Sequence, residues 1–298
     1  MSFIVFAFVL VMVILLVLYI HKTITYIEEA PSIAIDFNVD QIENPYMEVE
    51  YLIVDLINYK VEFISEPAIS YYERIKEDTS RTHNMVFRKT PLGYWGIYEV
   101  TQKQFEIIMG YNPSFFRGKY YMTRPVEGVS FKEAATFISN ICNQTGLSFR
   151  LPTKTEWKRA CLADGADILQ EQITAFARVS INTPRSEEFK AVNDWKYYCS
   201  LGLLDKWLQN MTPFFAGTQF VGSYLPNAWG LYDMYGNVKE WTNTTVKKGI
   251  QDEDFAILMG GDCISLPEDC IVDSESTNGI DNLYFQRFNG FRVVLPKL

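Results

Sequence analysis

Histidine is the scarcest of the side chains that carry catalysis, with only His21 and His83 in 298 residues. That excludes a histidine-rich metal centre and a Ser/His/Asp triad. No glycine-rich, phosphate-cradling P-loop is present. Basic residues are also short: 27 Lys and Arg stand against 36 Asp and Glu, a net charge of -9. Phosphate-backbone binding needs clustered cations, so nucleic acid is not an expected partner. Five cysteines leave at least one unpaired, and the count does not fix a redox compartment. Repeats and low-complexity tracts are absent. Between Lys248 and Arg287 there is no Lys or Arg, while Asp252, Glu253, Asp254, Asp262, Glu268, Asp269, Asp273, Glu275 and Asp281 accumulate. Such a run is either a solvated acidic face or a field that repels anions and draws cations or basic surfaces.

What is present is apolar and aromatic. Hydrophobic residues make up 48% of the chain, with 18 Tyr and 21 Phe, enough to bury a sizeable core. Phe3 to Ile20 is an uncharged run of Val, Leu, Ile and Phe, long enough as a helix to cross most of a bilayer's hydrocarbon core. It lacks a basic n-region, and no small-x-small site directly follows it, so residues 1–22 read as an uncleaved transmembrane anchor. The membrane is thus an expected partner through residues 3–20. His21 and Lys22 are too little charge to set its orientation. Residues 23–83 contain Met47–Val54, which alternates and then becomes continuously apolar, and Lys60–Ser65, which alternates again. Two strands are expected there, in a small β-rich subdomain or stalk. Residues 84–298 form the main domain.

Three helix starts follow from capping chemistry alone. Thr101 precedes Gln104, Ser130 precedes Glu133 and Thr153 precedes Glu156, each a hydroxyl followed three residues later by a side chain that reaches back to the cap amide. The first helix places Phe105, Ile108 and Met109 on one stripe and stops at Gly110. The second carries Phe131, Ala134, Ala135, Ile138, Ile141 and Cys142, and the third Trp157, Ala160 and Cys161. These are packing positions. Trp95, Trp229 and Trp241 are read as core rather than as a pocket lining.

The segment Pro226–Trp241 concentrates two carboxylates, two glycines and two tryptophans in one irregular stretch. Asp233 and Glu240 supply hard oxygens, and Gly236 lets the backbone turn so that carbonyls converge, which suits calcium; a solvated turn is the alternative. Read with Gly96-Ile-Tyr-Glu-Val-Thr-Gln, Asn112-Pro-Ser, Pro125-Val-Glu-Gly-Val-Ser, Phe149–Trp157, Gly260-Gly261 and Asn289–Val294, the segment resembles the formylglycine-generating enzyme (sulfatase-modifying factor) family. The motifs fall in family order over roughly residues 84 to 298. The resemblance implies an α+β, C-type-lectin-like fold with much irregular structure. It implies one calcium ion held by side-chain oxygens of Asp233 and Glu240 and carbonyls of Gly236 and Val238, with Lys239 replacing a family aromatic. A second calcium site would fall between about Ala175 and Gly222, where no match is found. Glu99 and Glu127 sit in motifs that tie loops together.

The family's chemistry is oxidation of a substrate cysteine by oxygen at a copper(I) ion held by two cysteines. Carried onto this chain, the family's Gly-Gly-Ser serine is Asp262, the first cysteine position is Ser265 and the second is Cys270. Cys263 is the nearest substitute partner. Asp262, Asp269, Asp273 and Glu275 around Cys270 would raise a thiol's pKa and reduce the thiolate that binds copper. A Cys263–Cys270 disulfide and two free buried thiols are both open. Two function classes result: a membrane-anchored, non-catalytic module whose loops bind a protein or glycan, or an oxidase with Cys270 and Cys263 as its copper ligands.

Overall fold

The computed structural model describes residues 46–117, 121–168, 170–179, 217–248, 253–280 and 288–297. The expected anchor, residues 1–22, lies outside them. Among the described residues no helix is long and apolar enough to cross a membrane.

The two expected strands form where the alternation places them, as β1 (Glu48–Asp55) and β2 (Val61–Pro67). They pair antiparallel with Tyr51 opposite Ile64. Asp55 closes the hairpin by accepting the Ile57 and Asn58 amides through Oδ1 at 2.8 and 3.1 Å. They do not stand apart as a stalk. The other edge of β1 pairs with β3 (Asn84–Thr90), Ile53 opposite Val86, and the sheet continues through β4 (Gly93–Gly96) to β9 (Val294–Pro296) in the order β2-β1-β3-β4-β9. Burial explains the sequence pattern. Val49, Tyr51 and Ile53 enter one apolar cluster with Tyr71 and Ile75 of α1 (Ala68–Lys76), while Leu52 and Val54 enter another. A strand covered on both faces loses the polar half of its alternation. Gly93, at φ +119°, is required at the β4–β9 crossing, because a Cβ there would lie 2.4 Å from the Leu295 carbonyl oxygen.

A four-residue helix, α2 (Thr79–Thr82), leads from α1 to β3. The three capping boxes all form, opening α3 (Gln102–Met109), α4 (Phe131–Thr145) and α5 (Lys154–Leu162). Gly110 and Gly146 end the first two in the left-handed conformation. After α6 (Ile173–Phe176), the second sheet is built from β5 (Lys239–Lys248), β6 (Glu253–Met259), β7 (Glu275–Gly279) and β8 (Asn289–Gly290), ordered β7-β6-β5-β8 with β5 and β8 parallel.

One apolar cluster joins Leu52 and Phe87 of the first sheet, Trp241 and Leu258 of the second, and Phe105 and Phe137 of α3 and α4. Phe105 and Phe137 stack with centroids 5.7 Å apart, and Phe291 lies 5.3 Å from Phe137. Phe137 takes the inward place expected of Ala135, which is exposed. Trp95 and Trp241 are buried as expected; Trp229 is half-buried beneath the Arg159 guanidinium. Phe137→Ala is expected to lower the unfolding free energy by about 3–5 kcal/mol, and Ala135→Ser by less than about 0.5, both read from urea denaturation followed by circular dichroism.

Candidate functional site

Residues Asp233 to Glu240 make a loop whose shape is set by three left-handed positions, Asp233 (φ 54°), Gly236 (φ 68°) and Asn237 (φ 57°). Glycine is obligatory at 236, since a Cβ would come within 2.2 Å of the Arg178 carbonyl oxygen. Backbone bonds hold the turn to its neighbours: the Gly236 amide donates to the Gly260 carbonyl at 2.7 Å, and the Asn237 amide to that of Arg178 at 2.8 Å. Glu99, buried, takes the Asn237 side-chain amide at 2.7 Å and the Val238 backbone amide at 3.2 Å. Glu127 accepts the Phe116 amide at 2.8 Å. Both carboxylates tie loops, as their motifs imply.

The four residues expected to hold calcium therefore share one loop, but Glu240 is already engaged. Arg292 Nε donates to both Glu240 oxygens at 2.9 and 2.8 Å, Arg292 Nη2 donates to Oε1 at 2.6 Å, and Trp157 Nε1 donates to Oε2 at 2.8 Å. Four donor contacts fill the lone-pair directions of one carboxylate. Arg292 is 0% exposed and spends its remaining donors on the carbonyls of Gly96 (3.2 Å) and Tyr232 (2.8 Å). Asp233 Oδ2 accepts the Gly222 amide at 2.7 Å, whereas its buried Oδ1 has no partner. Burial, opposed by that amide, pushes the Asp233 carboxyl up to about 7. Burial and the nearby Asp233 push Glu99 well above the carboxylate range. Among the described residues, no group of three or more His, Cys, Asp or Glu could hold a metal ion. Of the side-chain oxygens expected to hold calcium, those of Glu240 are engaged by Arg292 and Trp157, and the Asp233 Oδ1 is the one left open.

The loop after β6 departs from the expected copper pair. Asp262, 2% exposed, receives Lys239 Nζ at 2.9 Å on Oδ2, while its Oδ1 accepts the Ser265 hydroxyl at 2.9 Å and the Ile264 amide at 3.0 Å. The carboxylate that stands in place of a serine and the lysine that stands in place of an aromatic thus meet each other. No disulfide links Cys263 and Cys270, and both thiols are 0% exposed. Burial, then Asp262 and Asp269, pushes the Cys270 thiol up to about 12, and burial with Asp262 pushes Cys263 well above the thiol range. Asp273 and Glu275, expected to crowd Cys270, turn instead to Lys158 (2.5 Å) and Lys154. With Lys247 on Asp254 at 2.8 Å, lysines of α5 and β5 neutralise much of the acidic run. The pairing of Arg292 with Glu240 left no mark in the sequence; that of Lys239 with Asp262 did, as two opposite-charge departures from one motif set.

A model of the sulfatase-modifying factor enzyme 1-like domain matches residues 77–297. The chain belongs to this family. Among curated proteins, it is 29% identical over 189 residues to the "Chaperone protein LppX" of Paenibacillus barcinonensis, an alignment covering 50% of this chain and 60% of LppX. The chain thus spans less than two thirds of that relative's length. Among solved structures, "Treponema denticola variable protein 1" shares the fold, with a TM-score of 0.53 at 18% identity over 86% of this chain and 94% of that one. CarF superposes with a TM-score of 0.49 at 20% identity, over 71% of this chain and 88% of CarF.

Glu127 yields a pH test. Its Oε2 is buried without a partner, and burial pushes the carboxyl from 4.5 up to about 8. The folded value lies above the unfolded one, so the folded state holds the extra proton. This contribution is fully present below the unfolded pKa and is lost as pH rises through the folded one. Glu127→Gln is expected to flatten the decline in stability between roughly pH 4.5 and 8, read as the urea midpoint against pH; an unchanged slope would contradict it.

Proposed function

We propose that this chain is a non-catalytic binding module on a sulfatase-modifying-factor scaffold, held to a membrane through residues 3–20. The observation that carries this reading is the closed network of Asp262, Lys239 and Ser265 at the position of the family's copper pair. A copper(I) site needs two thiolates that converge on the metal. Here the first cysteine position is a serine bonded to a carboxylate, and the second carries a buried thiol held in its protonated form. The loop is ordered by an ion pair rather than by a metal, and what remains useful is the surface. The name of the similar Paenibacillus protein, a chaperone, favours another protein over a glycan as the ligand.

Incubating the full-length protein with a cysteine-containing sulfatase-type peptide, copper and oxygen is expected to leave the peptide mass unchanged. Formylglycine formation that disappears in Cys270→Ser would establish the oxidase reading instead. In the same proposal, Arg292 takes the structural place that the family resemblance gives to calcium. The thermal midpoint should then be the same in calcium and in EDTA, because a ligand that does not bind the folded state shifts nothing. A saturable rise with calcium that is absent in Asp233→Asn would restore the ion.

A further inference from the structure

Among the described residues, β2 is a terminal strand of the first sheet, paired with β1 on one side only. The phase of that ladder is fixed at both ends, where the Asp55 amide donates to the Lys60 carbonyl at 2.9 Å and the Ala68 amide to the Met47 carbonyl at 2.8 Å. Hydrogen-bonded pairs alternate along an antiparallel ladder, so Lys60, Glu62, Ile64 and Glu66 turn their amides and carbonyls toward β1. Val61, Phe63 and Ser65 turn theirs outward, and three donors and three acceptors line an open edge.

Proteins blunt such edges with inward charges, proline or a bulge. Here the pairing with β1 runs unbroken from Val61 to Pro67, and proline enters only at the last residue of the strand. The middle of the edge carries Phe63, 54% exposed, with one side of its ring against Tyr94 at 5.5 Å. A regular, open edge with an exposed aromatic ring is a template for a further strand.

Register identifies that strand. A second copy of β2 meets the first antiparallel about a two-fold axis, and only the outward-facing residues can exchange bonds. With Phe63 opposite Phe63 of the second copy, Val61 lies opposite Ser65, and every outward residue of both edges is paired. Lys60 then faces Glu66 across the axis, and Glu62 faces Ile64, so the charges that meet are opposite in sign. Moving the register by two residues sets Glu62 against Glu62 in one direction and against Glu66 in the other, both repulsive. A shift of one residue brings outward groups against inward ones and forms no ladder. The edge is thus self-complementary in a single full-length register.

We propose that β2 is a dimerisation edge, through which two copies of this chain join their first sheets into one continuous sheet with Phe63 on the two-fold axis. The pairing depends on neither the loss of oxidase chemistry nor the membrane anchor, so it stands or falls separately from both.

The test is disulfide trapping and sedimentation equilibrium on the full-length protein in detergent micelles. Opposed residues of a hydrogen-bonded pair have Cα atoms about 5.5 Å apart, within the span a disulfide bridges. A mixture of Val61→Cys and Ser65→Cys chains is expected to give a covalent dimer on mild oxidation, as is Phe63→Cys alone. Ser65→Cys alone is expected to give no more than the native chain with its own five cysteines. In sedimentation the native chain should dimerise. Ser65→Pro removes one outward amide from each copy and leaves the bonds to β1, since proline is tolerated on the solvent side of an edge strand. It should weaken association by about tenfold or more, the loss of two hydrogen bonds, with an unchanged circular dichroism spectrum. A monomeric native chain would overturn the proposal, and is the result expected if residues 1–45 or a different protein cover the edge instead. So would a mixture that does not trap, or an equally tight dimer in folded Ser65→Pro, the result expected if the anchor alone holds two copies together. If Ser65→Pro does not fold, the trapping decides.

Discussion

The carboxylate of Glu240 and the guanidinium of Arg292 lie together out of water, and the parts of the domain that do not touch in sequence are joined through them. Glu240 opens β5, Arg292 lies between β8 and β9, Trp157 comes from α5 and the Gly96 carbonyl from the end of β4. Removing two charges from water costs several kcal/mol each, and the attraction between them repays it only when every donor and acceptor is used. Here the carboxylate is fully surrounded by donors. The pair is a poor source of net stability compared with hydrocarbon of the same volume, but any arrangement that separates the two leaves a naked buried charge. What it supplies is one permitted assembly of the two sheets and the helix between them.

The same logic, on a smaller scale, governs the loop of residues 260–270. A carboxylate at 262 alone would be an uncompensated charge at 2% exposure. With Lys239 reaching it from β5 and Ser265 donating from the same turn, the charge becomes the centre of a satisfied network. Gly260 and Gly261, both at positive φ, shape this turn. Cys270 packs against Gly261, where a Cβ would lie 2.4 Å from its sulfur, and so acts as filling in the core around Trp157.

Local rules carried well from sequence to structure. Capping boxes at Thr101, Ser130 and Thr153 are reciprocal bonds within four residues, and nothing distant can override them cheaply. Strand alternation at Met47–Val54 was legible, as was its decay into a continuous apolar run, but the reason for that decay lay in partners on other elements, Tyr71 and Ile75 on one face and Phe87 and Phe105 on the other. The inward face of α4 was read one position wide of the mark: Ala135 has a helical phase close to the core, yet the ring of Phe137 reaches Phe105 and Phe291 and turns the helix toward them. Of the site, the loop and its glycine were legible from residue type. The partner of Glu240 was not, because an arginine 52 residues away carries no periodicity that ties it to a carboxylate.

The place of β1 in the first sheet has a practical side. The family match begins at residue 77, whereas β1 and β2 precede it and β1 pairs with β3 from Asn84 to Arg88. A fragment cut at the family boundary would strip that side bare, leaving a row of unpaired amides and carbonyls beside Val86 and Phe87 that another chain can zip onto. Aggregation of such a fragment would reflect where it was cut, and a soluble version of the domain has to begin upstream of Glu48.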